Sequence, residues 1–218
     1  KKVMKILLIL NKEKNLNKFI IKETKRIFKN TIIKYDNEYK FFNKKHFFDF
    51  TFSFLSKKIL KKKFLNYTKY HNINFHPGSP EYRGIGGYNF AIYNNEVYYG
   101  STAHEMNEKI DNGNIYNVKK FKIKKYDVKS LKNQTYLEMK KQFVELLEYI
   151  KKKKSVSPLK IKWSKNLYTR KKLNNLSKIN LRMKKKEINR RIKATYFNKK
   201  YKPFLLLKNI KFEYCKDN

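Results

Sequence analysis

A short run of apolar residues near the start of the sequence constrains the fold most. Residues 6–10 read ILLIL and are followed by Asn11. A strand with one exposed face alternates apolar and polar residues, whereas a strand inside a parallel sheet is covered on both faces and is apolar throughout. A buried helix needs about 10 residues or more. The run therefore predicts a buried strand in a parallel sheet that has helices on both faces.

Strand and helix patterns alternate after this run. A helical stretch with Asn17 as its candidate cap comes first, and residues 84–94 contain a second helix. The further predicted strands cover residues 31–35, 48–54, 72–75, 96–105 and 114–123. In the strand at 48–54, FDFTFSF, the aromatic residues alternate, which predicts one strongly buried face. The alternation of elements predicts an α/β fold with a Rossmann-like, mostly parallel sheet flanked by helices.

The C-terminal part of the chain follows a different pattern. Asp127 is the candidate cap of a long helix with apolar residues at the 3.6-residue period, which ends at the lysine run 151–154. Residues 187–193 look helical, and residues 204–207 and 210–214 are predicted to pair as a β-hairpin. We therefore expect a small α+β extension that ends in a hairpin. The predicted division is a main domain at 1–125, a long connecting helix at 126–155 and a basic C-terminal extension at 156–218.

The chain is strongly basic, with 55 Lys and Arg residues against 17 Asp and Glu, a formal net charge of +38. Such a charge ordinarily indicates a nucleic acid or an anionic surface as partner. However, Lys, Asn, Ile, Tyr and Phe are abundant together, and their codons are all rich in A and T. Base composition of the gene accounts for the charge as well, and we favour this explanation, although both stay open.

Cysteine content and hydropathy indicate where the chain resides. Cys215 is the only cysteine, so no disulfide can form within the chain, which fits a reducing compartment. Residues 6–10 are shorter than the roughly 7–15 apolar residues of a signal peptide. No run approaches the about 18 apolar residues that span a bilayer. We expect a cytoplasmic protein without a membrane partner.

Three polar residues are candidates for catalysis. Asn74 and His76 share one face of a predicted strand that ends at Pro77, and open α/β sheets carry their chemistry at the carboxyl ends of strands. His76 can accept and return a proton near neutral pH, Asp111 can orient it, and the Asn74 amide can stabilise an oxyanion. This set suffices for acyl transfer to an amine. The alternative is that these side chains only end a strand and satisfy backbone groups of the loop.

Other residues carry weaker signals. The run GIGG at 84–87 predicts a tight turn and is neither a P-loop nor a full dinucleotide fingerprint. Candidates for a metal cluster would be His71, His76, His104 and Asp111. Their spacing matches no known ligand pattern, so we predict no metal. Trp163 and Tyr168 are candidates for stacking on a nucleobase, with packing inside the protein as the alternative.

The motif NFHPGSPEYRG at residues 74–84, followed by DNGNI at 111–115, resembles the folate-dependent formyltransferase family. In that family an Asn, a His and an Asp form the catalytic set. The resemblance therefore implies that the main domain is catalytic, that Asn74, His76 and Asp111 carry the reaction, and that N10-formyltetrahydrofolate is the co-substrate, without a metal. The residues that it implies for folate binding are Phe54, Leu55, Ser56, Asn107 and Ile110.

Within this family, residues 78–91 look more like the sugar N-formyltransferases than like methionyl-tRNA formyltransferase, which usually has Ser-Leu-Leu-Pro in this loop. Segments 168–173 and 190–195 are also similar to the sugar enzymes. The resemblance implies a nucleotide-linked amino sugar, carried by dTDP or UDP, as acceptor, and leaves a homodimer open. The implied substrate-binding residues are Gly78, Tyr82, Arg83, Trp163, Tyr168 and Arg170. The alternatives are methionyl-tRNA formyltransferase, with tRNA as partner, and a non-catalytic RNA-binding protein on the same fold.

Overall fold

The structure is a computed structural model and describes residues 3–12, 15–36, 38, 47–197 and 202–215. A six-stranded sheet forms its centre. The strands are β1 (Lys5–Leu10), β2 (Asn30–Tyr35), β3 (Phe48–Phe54), β4 (Thr68–His76), β5 (Tyr98–Glu105) and β6 (Ile115–Lys122). They lie in the order β2-β1-β3-β4-β5-β6, with the first four mutually parallel and the last two antiparallel to their neighbours. The predicted α/β fold with a mostly parallel sheet is confirmed.

Helices cover the sheet, and most begin and end near the predicted residues. They are α1 (Asn17–Ile27), α2 (Lys62–Leu65), α3 (Gly87–Tyr93), α4 (Val128–Lys153), α5 (Arg170–Ser177) and α6 (Lys185–Thr195). The Asp127 side chain accepts a hydrogen bond from the Ser130 backbone N–H, which confirms it as the cap of α4. Asn17 is not the cap of α1: Leu16 holds that position, and the Asn17 amide donates to the Asn11 carbonyl at 2.8 Å. No helix among the described residues is long and apolar enough to cross a membrane.

Strand β3 is buried on both faces, of which its alternating pattern predicted one. Phe50, Phe52 and Phe54 are buried in the main core as predicted. Thr51 and Ser53, on the opposite face, are buried as well. The second buried face was not predicted, because Leu7 and Ile9 of β1 lie beside these hydroxyl residues and belong to an apolar cluster with Leu60 and Tyr67. Sequence alternation alone does not distinguish such cover from solvent.

The main core is built from aromatic side chains of the central strands and of α4. The ring of Phe143 on α4 packs against Phe52, Phe54 and Phe75, with centroid distances of 6.3, 5.4 and 4.9 Å. Next to it, the buried Gln142 amide accepts from the Ser101 hydroxyl at 2.8 Å and donates to Asn117. One helix therefore joins the parallel and antiparallel parts of the sheet by both apolar and polar contacts.

The C-terminal part forms a second, three-stranded sheet from β7 (Lys178–Ile179), β8 (Phe204–Leu207) and β9 (Ile210–Glu213). Strands β8 and β9 form the predicted hairpin, with Lys208 and Asn209 in the left-handed turn conformation. Helix α6 anchors this part on the main sheet domain, since the buried Asn89 amide donates to the Ala194 carbonyl at 2.7 Å. The division of the chain at residues 125 and 155 stays a prediction.

The aromatic core makes stability sensitive to Phe143. Replacement by alanine removes a fully buried ring that touches three others, so Phe143→Ala should lower the free energy of unfolding by about 3–5 kcal/mol. The matched control is Leu137→Ala on the same helix, where a half-exposed side chain should change stability by about 0.5 kcal/mol or less. Urea unfolding followed by circular dichroism measures both. Equal losses in the two variants would contradict the packing described here.

Candidate active site

Two neighbouring strands bring the candidate residues together. Asn74 and His76 lie at the end of β4, and the antiparallel register of β5 places His104 opposite Asn74. The loop between β5 and β6 then returns Asp111 to the same place, with a backbone φ of 42°. Left-handed backbone at a residue other than glycine is uncommon and occurs often at functional sites. The three residues predicted as the catalytic set are thus brought together, with a second histidine among them.

Asp111 is the centre of this group. One carboxylate oxygen, Oδ2, lies 3.3 Å from His76 Nδ1 and accepts from the Gly84 backbone N–H at 2.9 Å. The other oxygen, Oδ1, lies 3.4 Å from His104 Nε2. Burial acts to raise the pKa of Asp111, but the two imidazoles and the Gly84 N–H outweigh it and lower that pKa to about 2. The site therefore holds a fixed negative charge throughout the neutral range.

His76 is buried between two acceptors. Its Nδ1 faces Asp111, and its Nε2 lies 3.2 Å from the Tyr82 carbonyl. Burial lowers the pKa of His76, while the Asp111 carboxylate acts in the opposite direction. Gly78 is required beside the ring, because a Cβ there would come within 2.6 Å of Nε2. Tight packing holds this imidazole in one place.

Sequence reasoning missed His104 as a member of the site and named it only among the discounted metal candidates. Its Nδ1 lies 2.8 Å from the Glu105 carbonyl, and its Nε2 lies 3.2 Å from the Asn74 amide nitrogen. The signal in the sequence is the alternation of Thr102 and His104 on one strand face. The alternation does not say which residues lie next to His104. Only the pairing of β5 with β4 places His104 next to Asn74.

A cavity of about 330 Å³ opens at these residues. Asn74, His76, His104 and Asp111 line it together with Leu55, Ser56, Asn107 and Ile110, four of the five residues implied for folate binding. The fifth, Phe54, packs in the core against Phe75 and Phe143 and is not among the lining residues. Among the described residues, no group of three or more His, Cys, Asp and Glu side chains could hold a metal ion.

The predicted substrate-binding residues fall into two groups. Gly78, Tyr82, Arg83 and Trp163 surround the catalytic set. Arg83 donates twice to the Ile110 carbonyl, at 3.1 and 3.0 Å, and so holds the loop that carries Asp111. Trp163 donates from Nε1 to the Gly113 carbonyl, and its ring stands edge-on to His76 and His104. This indole covers both imidazoles, which sequence reasoning did not anticipate.

Tyr168 and Arg170 lie further away. The Tyr168 ring packs against Tyr82 and Phe90 inside the protein. Arg170 lines a second cavity of about 380 Å³, which includes Lys132 and Phe197 and shares Gly84 and Ile85 with the first. The structure therefore does not bring Arg170 to the catalytic set, and it places Tyr168 behind the loop that carries Tyr82.

Similar folds occur among solved structures of formyltransferases. A sugar N-formyltransferase from Shewanella sp. superimposes with a TM-score of 0.78 at 21% identity, over 96% of either chain. A 4-N formyltransferase from Francisella tularensis gives 0.68 at 20% identity, over 99% of this chain and 98% of that one. The N-formyltransferase from Helicobacter canadensis, solved with folinic acid and dTDP-3-aminofucose, gives 0.68 at 17% identity, over 88% and 80%. At these identities the likeness shows the shared fold.

Sequence comparison gives a relative that matches over part of its length and a family model. Methionyl-tRNA formyltransferase from Borrelia garinii subsp. bavariensis is 44% identical over 71 residues, which are 32% of this chain and 22% of that enzyme. The match thus spans about a fifth of the curated relative. The family model described as formyl transferase matches residues 11–147, more than half of the chain and including Asn74, His76, His104 and Asp111. The chain belongs to the formyl transferase family.

Proposed function

We propose that this protein transfers a formyl group from N10-formyltetrahydrofolate to the amino group of a nucleotide-linked amino sugar. The observation that carries the proposal is that Asn74, His76 and Asp111 line a single cavity together. These groups supply a hydrogen-bond donor for an oxyanion, a proton acceptor and a fixed negative charge. We expect the protein to act in the cytoplasm.

Other residues that line this cavity suit the formyl donor. Leu55 and Ile110 offer apolar surface for a flat ring, while Ser56 and Asn107 offer polar groups for its edge. Leu55 has a backbone φ of 56°, so left-handed backbone occurs at a second lining residue of this cavity, besides Asp111. When bound, N10-formyltetrahydrofolate supplies the activated formyl group. The residues present fit such a molecule, and the neighbour from Helicobacter canadensis was solved with the related folinic acid.

Asn74 acts on the reacting carbonyl group. The Asn74 amide carries two N–H donors, and a donor aimed at an oxygen that gains negative charge is commonly worth about 2.7–4 kcal/mol in the transition state. The reacting amine attacks directly, so no nucleophilic side chain is needed. Asn74 therefore has the role of stabilising the oxyanion.

His76 and Asp111 manage the proton. Both ring nitrogens of His76 face groups that only accept hydrogen bonds, Asp111 at Nδ1 and the Tyr82 carbonyl at Nε2. The neutral ring satisfies one of them and the imidazolium satisfies both, so uptake of a proton completes the hydrogen bonds of the ring. The Asp111 carboxylate stabilises the resulting imidazolium. This arrangement supports His76 as the group that accepts the proton of the amine and returns it as the formyl donor leaves.

The acceptor is supported by likeness in fold. Three of the solved structures described above are N-formyltransferases, and the Helicobacter canadensis structure contains dTDP-3-aminofucose. The second candidate acceptor is methionyl-tRNA, which the partial relative and the net charge of +38 favour. A cationic surface binds polyanions in general, so the charge alone does not separate these acceptors.

A formylation assay tests the reaction. Wild-type protein, N10-formyltetrahydrofolate and a panel of dTDP- and UDP-linked amino sugars should yield a product one formyl group heavier by mass spectrometry. Asn74→Ala should lower kcat by about 10²–10³, and His76→Ala by about 10²–10⁴. The control is Tyr98→Phe, at an exposed position of β5. Failure with every sugar, or undiminished turnover in His76→Ala, would contradict the proposal.

The two acceptor classes separate in a second assay. We expect no formylation of charged initiator tRNA and no tRNA binding that survives moderate salt, because diffuse lysine charge gives salt-sensitive, nonspecific contacts. If the protein formylates methionyl-tRNA and formylates no amino sugar of the panel, the result would favour methionyl-tRNA formyltransferase. Tight tRNA binding without any formylation would favour the non-catalytic RNA-binding alternative.

The titration of His76 gives a prediction that needs no substrate. Because burial lowers its pKa, the imidazole should titrate below 6.5 in NMR spectra assigned with His76→Asn. Asp111→Asn should lower this pKa further, because it removes the opposing negative charge. The unfolded chain takes up this proton at a higher pH than the folded protein does. The stabilising contribution of neutral His76 to the free energy of unfolding is therefore fully present above pH 6.5, and it is lost as the pH falls through the pKa of His76 in the folded state. If the pKa of His76 were above 6.5, the result would contradict the burial of this imidazole.

A further inference from the structure

We propose that His104 is a positioning residue: it orients the Asn74 amide so that the amide presents N–H, rather than its carbonyl oxygen, to the reacting group. The inference rests on the proposed formyl transfer and adds a residue to that site. It follows from the hydrogen bonds of three neighbouring residues, Asn74, His104 and Glu105.

The first step concerns the protonation of the His104 ring. A backbone carbonyl only accepts hydrogen bonds, so the 2.8 Å contact with the Glu105 carbonyl requires a proton on Nδ1. In the neutral ring the other nitrogen, Nε2, is then an acceptor. The Glu105 carbonyl thus decides which nitrogen of His104 is free to accept.

The second step concerns the Asn74 amide. A primary amide turned by 180° occupies almost the same space but exchanges its two donors for an acceptor. An acceptor at His104 Nε2, 3.2 Å from the Asn74 amide nitrogen, is satisfied only by the N–H orientation. The second N–H of the same group then remains to stabilise an oxyanion. The reversed amide would place its carbonyl oxygen there and repel the developing charge.

The third step concerns the support of the Glu105 carbonyl. The Glu105 side chain accepts from the Asn72 backbone N–H at 2.9 Å and also contacts His71 and Tyr116. Gly113 lies against the same residue, and a Cβ there would come within 2.0 Å of the Glu105 carbonyl oxygen. The side-chain hydrogen bonds and the close approach of Gly113 hold Glu105 in place, and with it the carbonyl that orients the His104 ring.

An alternative role for His104 is charge. A protonated ring would donate from Nε2 to Asp111 Oδ1, 3.4 Å away, and would leave Asn74 without this acceptor. Glutamine separates the two roles, because its side-chain amide can accept from Asn74 but carries no charge. If His104 acts by positioning Asn74, His104→Gln should retain most of the activity. If His104 acts by its charge, His104→Gln should lose the activity.

A double-mutant cycle tests the coupling. His104→Ala should lower kcat by about 10-fold or more with KM for both substrates within a few-fold, and His104→Gln should recover most of this loss. In the Asn74→Ala background, His104→Ala should cost no more than about 3-fold, because the group it orients is gone. Three outcomes would each overturn the positioning role. The losses of the two single variants could multiply in the double variant, His104→Ala could keep full activity, or His104→Gln could fail to recover the activity. Tyr98→Phe serves as the control on β5.

A second measurement separates this inference from the proposed reaction. The side-chain amide protons of Asn74, assigned in ¹⁵N spectra with Asn74→Ala, should show a hydrogen-bonded shift in wild type and in His104→Gln. They should move to the position of a free amide in His104→Ala, while fluorescence of Trp163, the sole tryptophan, reports whether the site remains folded. An unchanged amide in a folded His104→Ala overturns the inference even if formylation is real. A changed amide without formylation supports the contact and overturns only the reaction.

Discussion

The site depends on one buried carboxylate. Asp111 contacts imidazoles with both of its oxygens and receives the Gly84 backbone N–H on one of them. A buried charge is costly unless it is paired and hydrogen-bonded, and here the partners lower its pKa to about 2 despite burial. The same contacts fix the rings that the carboxylate needs. The contacts that stabilise the carboxylate therefore also place the catalytic groups.

The surrounding structure serves to keep this carboxylate in place. Arg83 holds the Ile110 carbonyl next to it, and Trp163 covers both imidazoles while donating to the Gly113 carbonyl. Gly78 and Gly113 leave space where a Cβ would collide with His76 or with the Glu105 carbonyl. Behind the sheet, Phe143 of α4 packs the strands that end at the site. The site is rigid because its loops are tied to a dense core.

Much of the fold could be predicted because the pattern of the chain is locally consistent. The apolar strand β1, the Asp127 cap of α4 and the hairpin of β8 and β9 each follow from residues within one element. Burial of Thr51 and Ser53 could not be predicted, because it depends on other elements: Leu7 and Ile9 of β1 lie beside them in one apolar cluster. Asn17 was expected to cap α1, but it lies inside the helix and its amide donates to the Asn11 carbonyl of the preceding loop.

The sequence by itself determined the α/β class, the polar strand end at Asn74 and His76, and, through its resemblance, Asp111 as their partner. Only the tertiary structure decided that His104 joins them, that Trp163 covers both imidazoles, and that Arg170 lines a different cavity. The physical reason is that local patterns depend on neighbouring residues, whereas these contacts depend on strand register and loop closure. Asn74 and His104 are 30 residues apart, and the antiparallel pairing of β4 with β5 alone makes them neighbours.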